Sequence, residues 1–346
     1  MMRIAIVGAS GNVGTALLRN LQSRLAERPG SLELAGISRR LPDIAMPPYA
    51  GVEWHTLDVG LDADMPRLRS ALAGADAVVH LAWQVQPNRD LDALHRTNVT
   101  GTGHVLEAAG QAGVGHIVCA SSVGAYSQAP KDRRTDESWP AGGIQTSHYS
   151  RHKAEQEALL DRFEEEHPGV KVARLRPGLI FQRDAGSEIG RYFLGQLLAR
   201  LLPRRPWTPV LPAPDNLIFQ ALHADDAAEA YWQVLDRGES GAFNIAAEPV
   251  VTPQELARLL GAKRILPIPM ALLHAVAGLT WRLRIQPTDS GWVDMAAGSP
   301  VMDTGRARRV LAWEPRITSV DAIAQVLEGI GAGAGVAPSP ALKPRS

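Results

Sequence analysis

The sequence predicts an α/β protein built on a doubly wound parallel sheet. Three observations carry that expectation. The chain opens on an apolar strand, Ile4 to Val7, that runs into a glycine-rich turn and then an apolar-periodic helix. Further short apolar runs alternate with helical stretches, the pattern of β-α-β units. Runs such as Ala77-Val-Val-His-Leu-Ala-Trp83 are apolar almost throughout, as strands covered on both faces must be.

At 346 residues and 45% apolar side chains, the chain can bury a substantial core. Lys plus Arg and Asp plus Glu stand at 36 each, so no net field points to nucleic acid or an anionic membrane, and a small molecule is the simpler partner. Cys119 is the only cysteine, which excludes an internal disulfide and a thiolate metal cluster, and no metal is expected. The longest apolar stretch outside the core, Ile268 to Leu283, falls short of a membrane span and reads as a helix of a substrate-covering region. With a strand where a signal segment would stand, the chain is expected to be cytoplasmic.

In the first unit the strand enters Gly8-Ala-Ser10-Gly11-Asn12-Val13-Gly14, and a helix follows through Leu17, Leu18 and Leu21. Glycines there let the backbone approach a pyrophosphate, and the helix start offers unpaired N–H groups at the positive end of its dipole. The spacing departs from the standard G-x-G-x-x-G, yet a strand before it and a helix after it predict nucleotide binding. The second strand, Leu34 to Ile37, ends in Ser38-Arg39-Arg40, where such folds read the adenosine ribose. Arginine there accommodates the 2′-phosphate of NADP, so NADP(H) is favoured and NAD(H) is the alternative. A short strand then ends at Leu57-Asp58-Val59. Asp58 either caps the next helix or bonds an adenine amine, and spacing leaves both open.

Ala77 to Trp83 is the fourth strand, followed by a polar loop with Gln84, Gln86 and Asn88. A helix is predicted over about 91–112, and polar residues with two glycines around Asn98-Val-Thr-Gly-Thr102 imply that something packs close there. The fifth strand, Ile117 to Ser122, carries Ala120, Ser121 and Ser122 at its carboxyl end, the edge where ligands bind in open α/β sheets. Tyr149 and Lys153 open the next helix and share one of its faces. A free phenol titrates near about 10, and an ammonium beside it pulls that value toward neutrality. The sixth strand, Val170 to Leu175, leads into Arg176-Pro177-Gly178.

Residues 183–218 are rich in arginine and proline, with helical spacing only around Tyr192 to Leu202. The chain returns near Leu217 to Asp226, with a helix from Ala227 to Leu235 and a strand from Ala242 to Ala246. Thr252-Pro253 and Thr318-Ser319 suit helix N-caps. Residues 1–180, with return segments over 217–247, are therefore expected to form a dinucleotide-binding domain. Residues 181–216 and 248–330 form a smaller, mostly helical substrate-binding region, and 331–346, rich in Gly, Ala and Pro, a disordered tail.

Read in order, Gly8-x-x-Gly11-x-x-Gly14, Asp58-Val59, His80-Leu81-Ala82, Asn98-Val-x-Gly-Thr102, Ser121-Ser122, Tyr149-x-x-x-Lys153, Arg176-Pro177 and His223-x-Asp225-Asp226 resemble the extended short-chain dehydrogenase/reductase superfamily, in the branch called the NAD-dependent epimerase/dehydratase family. The resemblance implies a Rossmann-type fold with Tyr149 as proton donor or acceptor. Lys153 would lower the pKa of Tyr149 and hold the nicotinamide ribose, and Ser122 would bond the reacting oxygen. Asn98 would steady its helix and a proton-relay water. Asp58 and Val59 would meet the adenine, Leu81 and Ala82 the adenosine side and pyrophosphate, and Pro177 the nicotinamide. Ser10, Asn12, Val13, Trp83, Ala120 and Ser121 complete the expected cofactor contacts. A homodimer through the helices near Leu91 and Tyr149 is implied as well. Three departures stand out: no acidic residue follows the second strand, His152 replaces the usual serine before Lys153, and Gln182-Arg183 replaces a Gly-Pro.

The leading expectation is an NADP(H)-dependent reductase of a carbonyl, reversible as an alcohol dehydrogenase. A sugar-nucleotide epimerase or dehydratase with retained NAD is the alternative, and Arg191, Arg200, Arg204 and Arg205 would then meet the diphosphate. A non-catalytic NADP sensor is the third reading, disfavoured by Ser122, Tyr149 and Lys153. Trp83, Gln84, Phe181, Tyr192 and Trp207 are candidate walls of an apolar pocket.

Overall fold

The computed structural model describes residues 1–86, 89–193, 195 and 208–345. Asn88, Arg200, Leu202, Arg204, Arg205 and Trp207 lie outside the described residues.

Seven parallel strands make the central sheet: β1 (Met2–Val7), β2 (Leu32–Ser38), β3 (Glu53–Thr56), β4 (Ala77–His80), β5 (His116–Ala120), β7 (Lys171–Pro177) and β11 (Gly241–Ile245). Their order is β11-β7-β5-β4-β1-β2-β3. Val7 pairs with Ile37 on one side and His80 on the other. The chain therefore reverses direction across the sheet between β1 and β4, which places a crevice at the carboxyl ends of those two strands.

Both faces of the sheet are covered, which explains why its strands are apolar throughout. Ile4 and Ile6 face helices α1 (Asn12–Glu27) and α7 (Ala224–Arg237), meeting Leu17, Leu21, Tyr231 and Val234. Ala5 and Val7 point the other way, toward α2 (Met65–Leu72), α4 (Gly101–Ala112) and α5 (His148–Glu166).

Shorter strands make three further parallel pairs among the described residues. They are β6 (Arg134–Thr135) with β13 (Val301–Met302), β8 (Leu179–Phe181) with β10 (Ala221–His223), and β9 (Val210–Ala213) with β12 (Arg264–Pro267). The remaining helices are α3 (Leu91–His95), α6 (Gly186–Phe193), α8 (Pro253–Leu259), α9 (Met270–Arg282), α10 (Gly291–Gly298), α11 (Gly305–Leu311) and α12 (Ser319–Ala332). Thr252 and Thr318 do cap α8 and α12, each accepting from the amide three residues on.

Three local expectations are corrected. The fourth strand stops at His80: the Leu81 amide still bonds the Val7 carbonyl, and beyond it the chain leaves the sheet. The helix expected over 91–112 is interrupted by a π-helical turn, Arg96–Thr100, that joins α3 to α4. There the close packing that the glycines implied is explained at one of them: a Cβ on Gly101 would stand 2.8 Å from Cγ2 of Val59, whereas Gly103 faces open space. The tail is ordered rather than disordered. Ser339 and Leu342 are fully buried, and the Ser339 hydroxyl accepts from the amides of Ala341 and Leu342 while donating to the carbonyl of Ser10. A poor composition suffices because one serine satisfies the turn and one leucine anchors it.

Candidate active site

Gly8, at φ +90°, lets β1 turn beneath the chain leaving β4: a Cβ there would lie 2.7 Å from the amide nitrogen of Ala82. One on Gly14 would lie 2.4 Å from the carbonyl of Gly8, so α1 closes directly under the loop. Gly11 is the N-cap of α1, with no side chain capping it and no acidic residue in the first turn, which leaves the positive end of the helix open to an anion. Asn12 is held from the side, as Gln182 donates to its Oδ1 at 2.6 Å and Arg19 donates to Gln182 at 2.6 Å. The glutamine that replaces the family's Gly-Pro thus braces the glycine-rich loop, and Ser339 braces it at Ser10.

At the end of β2 the Ser38 hydroxyl donates to the Arg40 carbonyl, and the exposed guanidinium of Arg39 reaches Gln84 Oε1 at 2.9 Å, across the exit of β4. Asp58 accepts from the Gly60 amide and donates its own amide to Asp64, which occupies the cap position of α2. Of the two roles left open for Asp58, helix capping is therefore removed.

A second cluster of candidate residues forms where β5, the turn after it and α5 meet. Ser147 caps α5, and Tyr149 and Lys153 follow on one face. Ser122 caps the short turn Val123–Ala125, its hydroxyl accepting from the Gly124 amide at 3.0 Å, and stands near enough to the Tyr149 phenol to oppose part of the rise that burial imposes on its pKa. Trp83 and Trp292 pack on the phenol ring, centroids 5.7 and 4.9 Å away, and Phe193 backs Trp292 at 5.2 Å. Lys153 donates to the Ala120 carbonyl at 2.6 Å and to Gln156 Oε1 at 3.0 Å, with its nitrogen 3.4 Å from the Trp83 ring centroid.

The expected depression of the Tyr149 pKa is corrected. Burial raises it, and only Ser122 works against burial. Lys153, buried as well, is itself pulled down to about 7, so it does not act as a fixed charge on the phenol. The site is dry enough to disfavour both ions.

Asn98 does not touch Tyr149 or Lys153. It accepts from the Gln84 amide at 2.7 Å and donates to the Gln84 carbonyl at 2.9 Å, fixing the loop that carries Trp83. Its own carbonyl accepts from Thr102, whose hydroxyl oxygen meets Gln156 and His80. Since the Thr102 proton is committed to Asn98, His80 Nε2 is the donor, and burial holds that imidazole neutral, down to about 3. Ser121 is committed elsewhere: it donates to Glu157 at 2.5 Å, and Glu157 takes a two-pronged ion pair from Arg176. Pro177 ends β7 opposite Ile245, near this edge. His152 is buried among His95 and His148, a packing role. Sequence reasoning missed Trp292, Gln156, Gln182 and Ser339; Gln156, one turn beyond Lys153, had a local signal, and the others come from distant segments.

Among the described residues no cluster of His, Cys, Asp and Glu is arranged to hold a metal ion, and no helix is long and apolar enough to cross a membrane. A parallel sheet with a glycine cradle at its switch point, and Ser122, Tyr149 and Lys153 beside the end of β5, is the arrangement of the extended short-chain dehydrogenase/reductase fold. The chain belongs to the NAD dependent epimerase/dehydratase family, whose model matches residues 4–246. A ketoreductase of Stigmatella aurantiaca that acts on 4-hydroxy-2-methyl-3-oxo-4-farnesyl-3,4-dihydroquinoline-1-oxide is 24% identical over 97% of this chain and 99% of its own. An uncharacterised protein of Mycobacterium tuberculosis is 27% identical over 91% of this chain, which spans only 28% of that relative's length. In structure the chain resembles the dTDP-glucose 4,6-dehydratase DesIV of Streptomyces venezuelae with bound NAD, at TM-score 0.68 and 21% identity over 95% of this chain and 96% of that one.

Proposed function

We propose that the chain is an NADP(H)-dependent reductase of a carbonyl on an apolar substrate, able to run in reverse as an alcohol dehydrogenase. The carrying observation is the buried Tyr149 phenol, beside Ser122 and packed against Trp83 and Trp292, with Phe193 behind Trp292. Aromatic rings surround the phenol, and the Stigmatella relative is a ketoreductase of a farnesylated dihydroquinoline oxide.

The glycine cradle and the uncapped start of α1 fit a dinucleotide pyrophosphate, and Arg39 and Arg40 fit a 2′-phosphate. When bound, the nicotinamide supplies the hydride. Lys153 would hold its ribose. Tyr149, kept protonated at neutral pH by burial, gives its proton to the carbonyl oxygen as negative charge develops there, while the Ser122 hydroxyl steadies that oxygen. The two indoles keep water from the phenol. A raised phenol pKa suits a donor, which favours the reductive direction. Of the four arginines that a sugar-nucleotide diphosphate would need, Arg191 bonds the Ala341 carbonyl and the other three lie outside the described residues, so the reading rests on the phenol rather than on them. As in the resemblance, the working unit would be a homodimer, measurable by gel filtration.

The test has two parts. Titration of nucleotide-stripped protein, followed by tryptophan quenching, should show NADPH binding at least tenfold tighter than NADH, about 1.4 kcal/mol; equal or tighter NADH binding would redirect the search to sugar nucleotides. Tyr149→Phe should keep that affinity and lower turnover of carbonyl substrates on the order of a hundredfold or more. Undiminished turnover in the variant removes Tyr149 from the mechanism.

A further inference from the structure

Chain-wide neutrality conceals one local imbalance. From Leu256 to Thr288 there is no Asp or Glu, while Arg258, Lys263, Arg264, Arg282 and Arg284 are all basic. Arg258 is paired with Glu255; the other four are exposed and form no ion pair among the described residues. Within this stretch α9 reads Met270-Ala-Leu-Leu-His-Ala-Val-Ala-Gly-Leu-Thr-Trp-Arg282 and has no buried residue. A helix this apolar is ordinarily covered.

Its two sides differ. His274 meets Asp294 of α10, and Trp281, on the same side, is covered by Arg89. On the opposite side Leu272, Val276, Leu279 and Leu283, spaced four, three and four apart, form one stripe, each between 49% and 62% exposed. Leu266 and Ile285, 53% and 54% exposed, lie on segments flanking the helix in the chain. Contiguous apolar surface of this kind marks an interaction site. Cations before and after the helix, and no carboxylate between them, select an anionic partner that is itself apolar beneath its charge.

We propose that this lobe docks on an anionic lipid bilayer, with the α9 stripe lying in the interface and Lys263, Arg264, Arg282 and Arg284 on the headgroups. At 13 residues the helix extends only about 20 Å, so it lies on the membrane rather than crossing it. Because α9 rests on α10, and Trp292 of α10 covers Tyr149, docking would set the pocket beside the lipid. The α9 surface does not depend on the chemistry proposed for Tyr149.

The full chain should pellet with vesicles of phosphatidylserine and phosphatidylcholine in equal parts, less so in high salt, and weakly with phosphatidylcholine alone. The Leu272→Asp/Leu279→Asp variant should lose vesicle affinity by on the order of tenfold or more while its melting temperature and NADPH affinity stay unchanged. Arg282→Gln/Arg284→Gln should lose the preference for phosphatidylserine. Three results overturn the proposal. One is failure of the full chain to pellet with mixed vesicles at low salt, and another is vesicle binding unaltered in the leucine variant. The third is a leucine variant with a lower melting temperature or a smaller oligomer, which would mean that this chain or a second copy covers the stripe.

Discussion

Helix α7 carries Asp225, Asp226, Glu229, Gln233, Asp236 and Arg237 among its fourteen residues and still buries nine of them against the sheet. Helix α9, whose polar side chains are His274, Thr280 and Arg282, buries none. The more polar helix is thus the covered one. Composition sets what a helix can gain from burial, but a partner surface decides whether it gains it. In α7 the stripe of Ala227, Tyr231, Val234 and Leu235 belongs to the core that α1, β5, β7, β8 and β10 share; α9 has α10 on one side and, among the described residues, little on the other. Burial is therefore concentrated around the seven-stranded sheet, and the apolar side chains of α9 contribute little to the core among the described residues.

That division can be broken experimentally, and the largest effect belongs to Glu157. Its carboxylate is buried, held below its ordinary range by Arg176 and Arg174 against the opposing pull of burial. Glu157→Ala leaves the buried guanidinium of Arg176 without its counter-ion, while Arg174 keeps Asp161 and Glu164, and should cost about 3–5 kcal/mol in denaturant unfolding. A loss below about 1 kcal/mol would show that solvent reaches this layer.

His80 probes the same half through pH. Its imidazole is neutral in the fold down to about 3, whereas in the unfolded chain it titrates near about 6.5. The unfolded state therefore binds a proton that the folded state refuses, and stability falls as pH drops from 6.5 toward 3, with a slope of up to about 1.4 kcal/mol per pH unit from this group. His80→Gln should flatten that acid limb. His152, lowered to about 4 by burial, acts in the same direction and keeps part of the slope in the variant.

What the sequence made legible follows the same division. Gly8, Gly11 and Gly14, and Tyr149 with Lys153, are local patterns: their spacing alone puts them in one loop or on one helix face, so reading them needed no tertiary information. The strands could be read because both faces are buried. Trp292 and Ser339 could not, since each meets its site only through the path of the whole chain. The direction of the Tyr149 shift was misread for a related reason: a charge four residues away is visible in sequence, but the dryness that raises the phenol pKa is made by Trp83, Trp292 and other distant groups. The tail was misread because composition gives no weight to a single well-placed Ser339 and Leu342.

The smallest effect is the sharpest test. Leu235 of α7 is 4% exposed and Leu279 of α9 is 58% exposed, on helices of fourteen and thirteen residues. Leucine to alanine removes the same atoms and changes helix propensity equally at both sites. At Leu235 the deletion adds lost transfer energy to a cavity beneath the sheet and should cost about 2–5 kcal/mol. At Leu279 the side chain is already largely in water, so the fold should lose less than about 0.5 kcal/mol. If both variants lose comparable stability, α9 is packed in solution and its stripe is core. If only Leu235→Ala is destabilised, Leu279 is kept apolar for a partner, and the vesicle experiment asks whether that partner is a membrane.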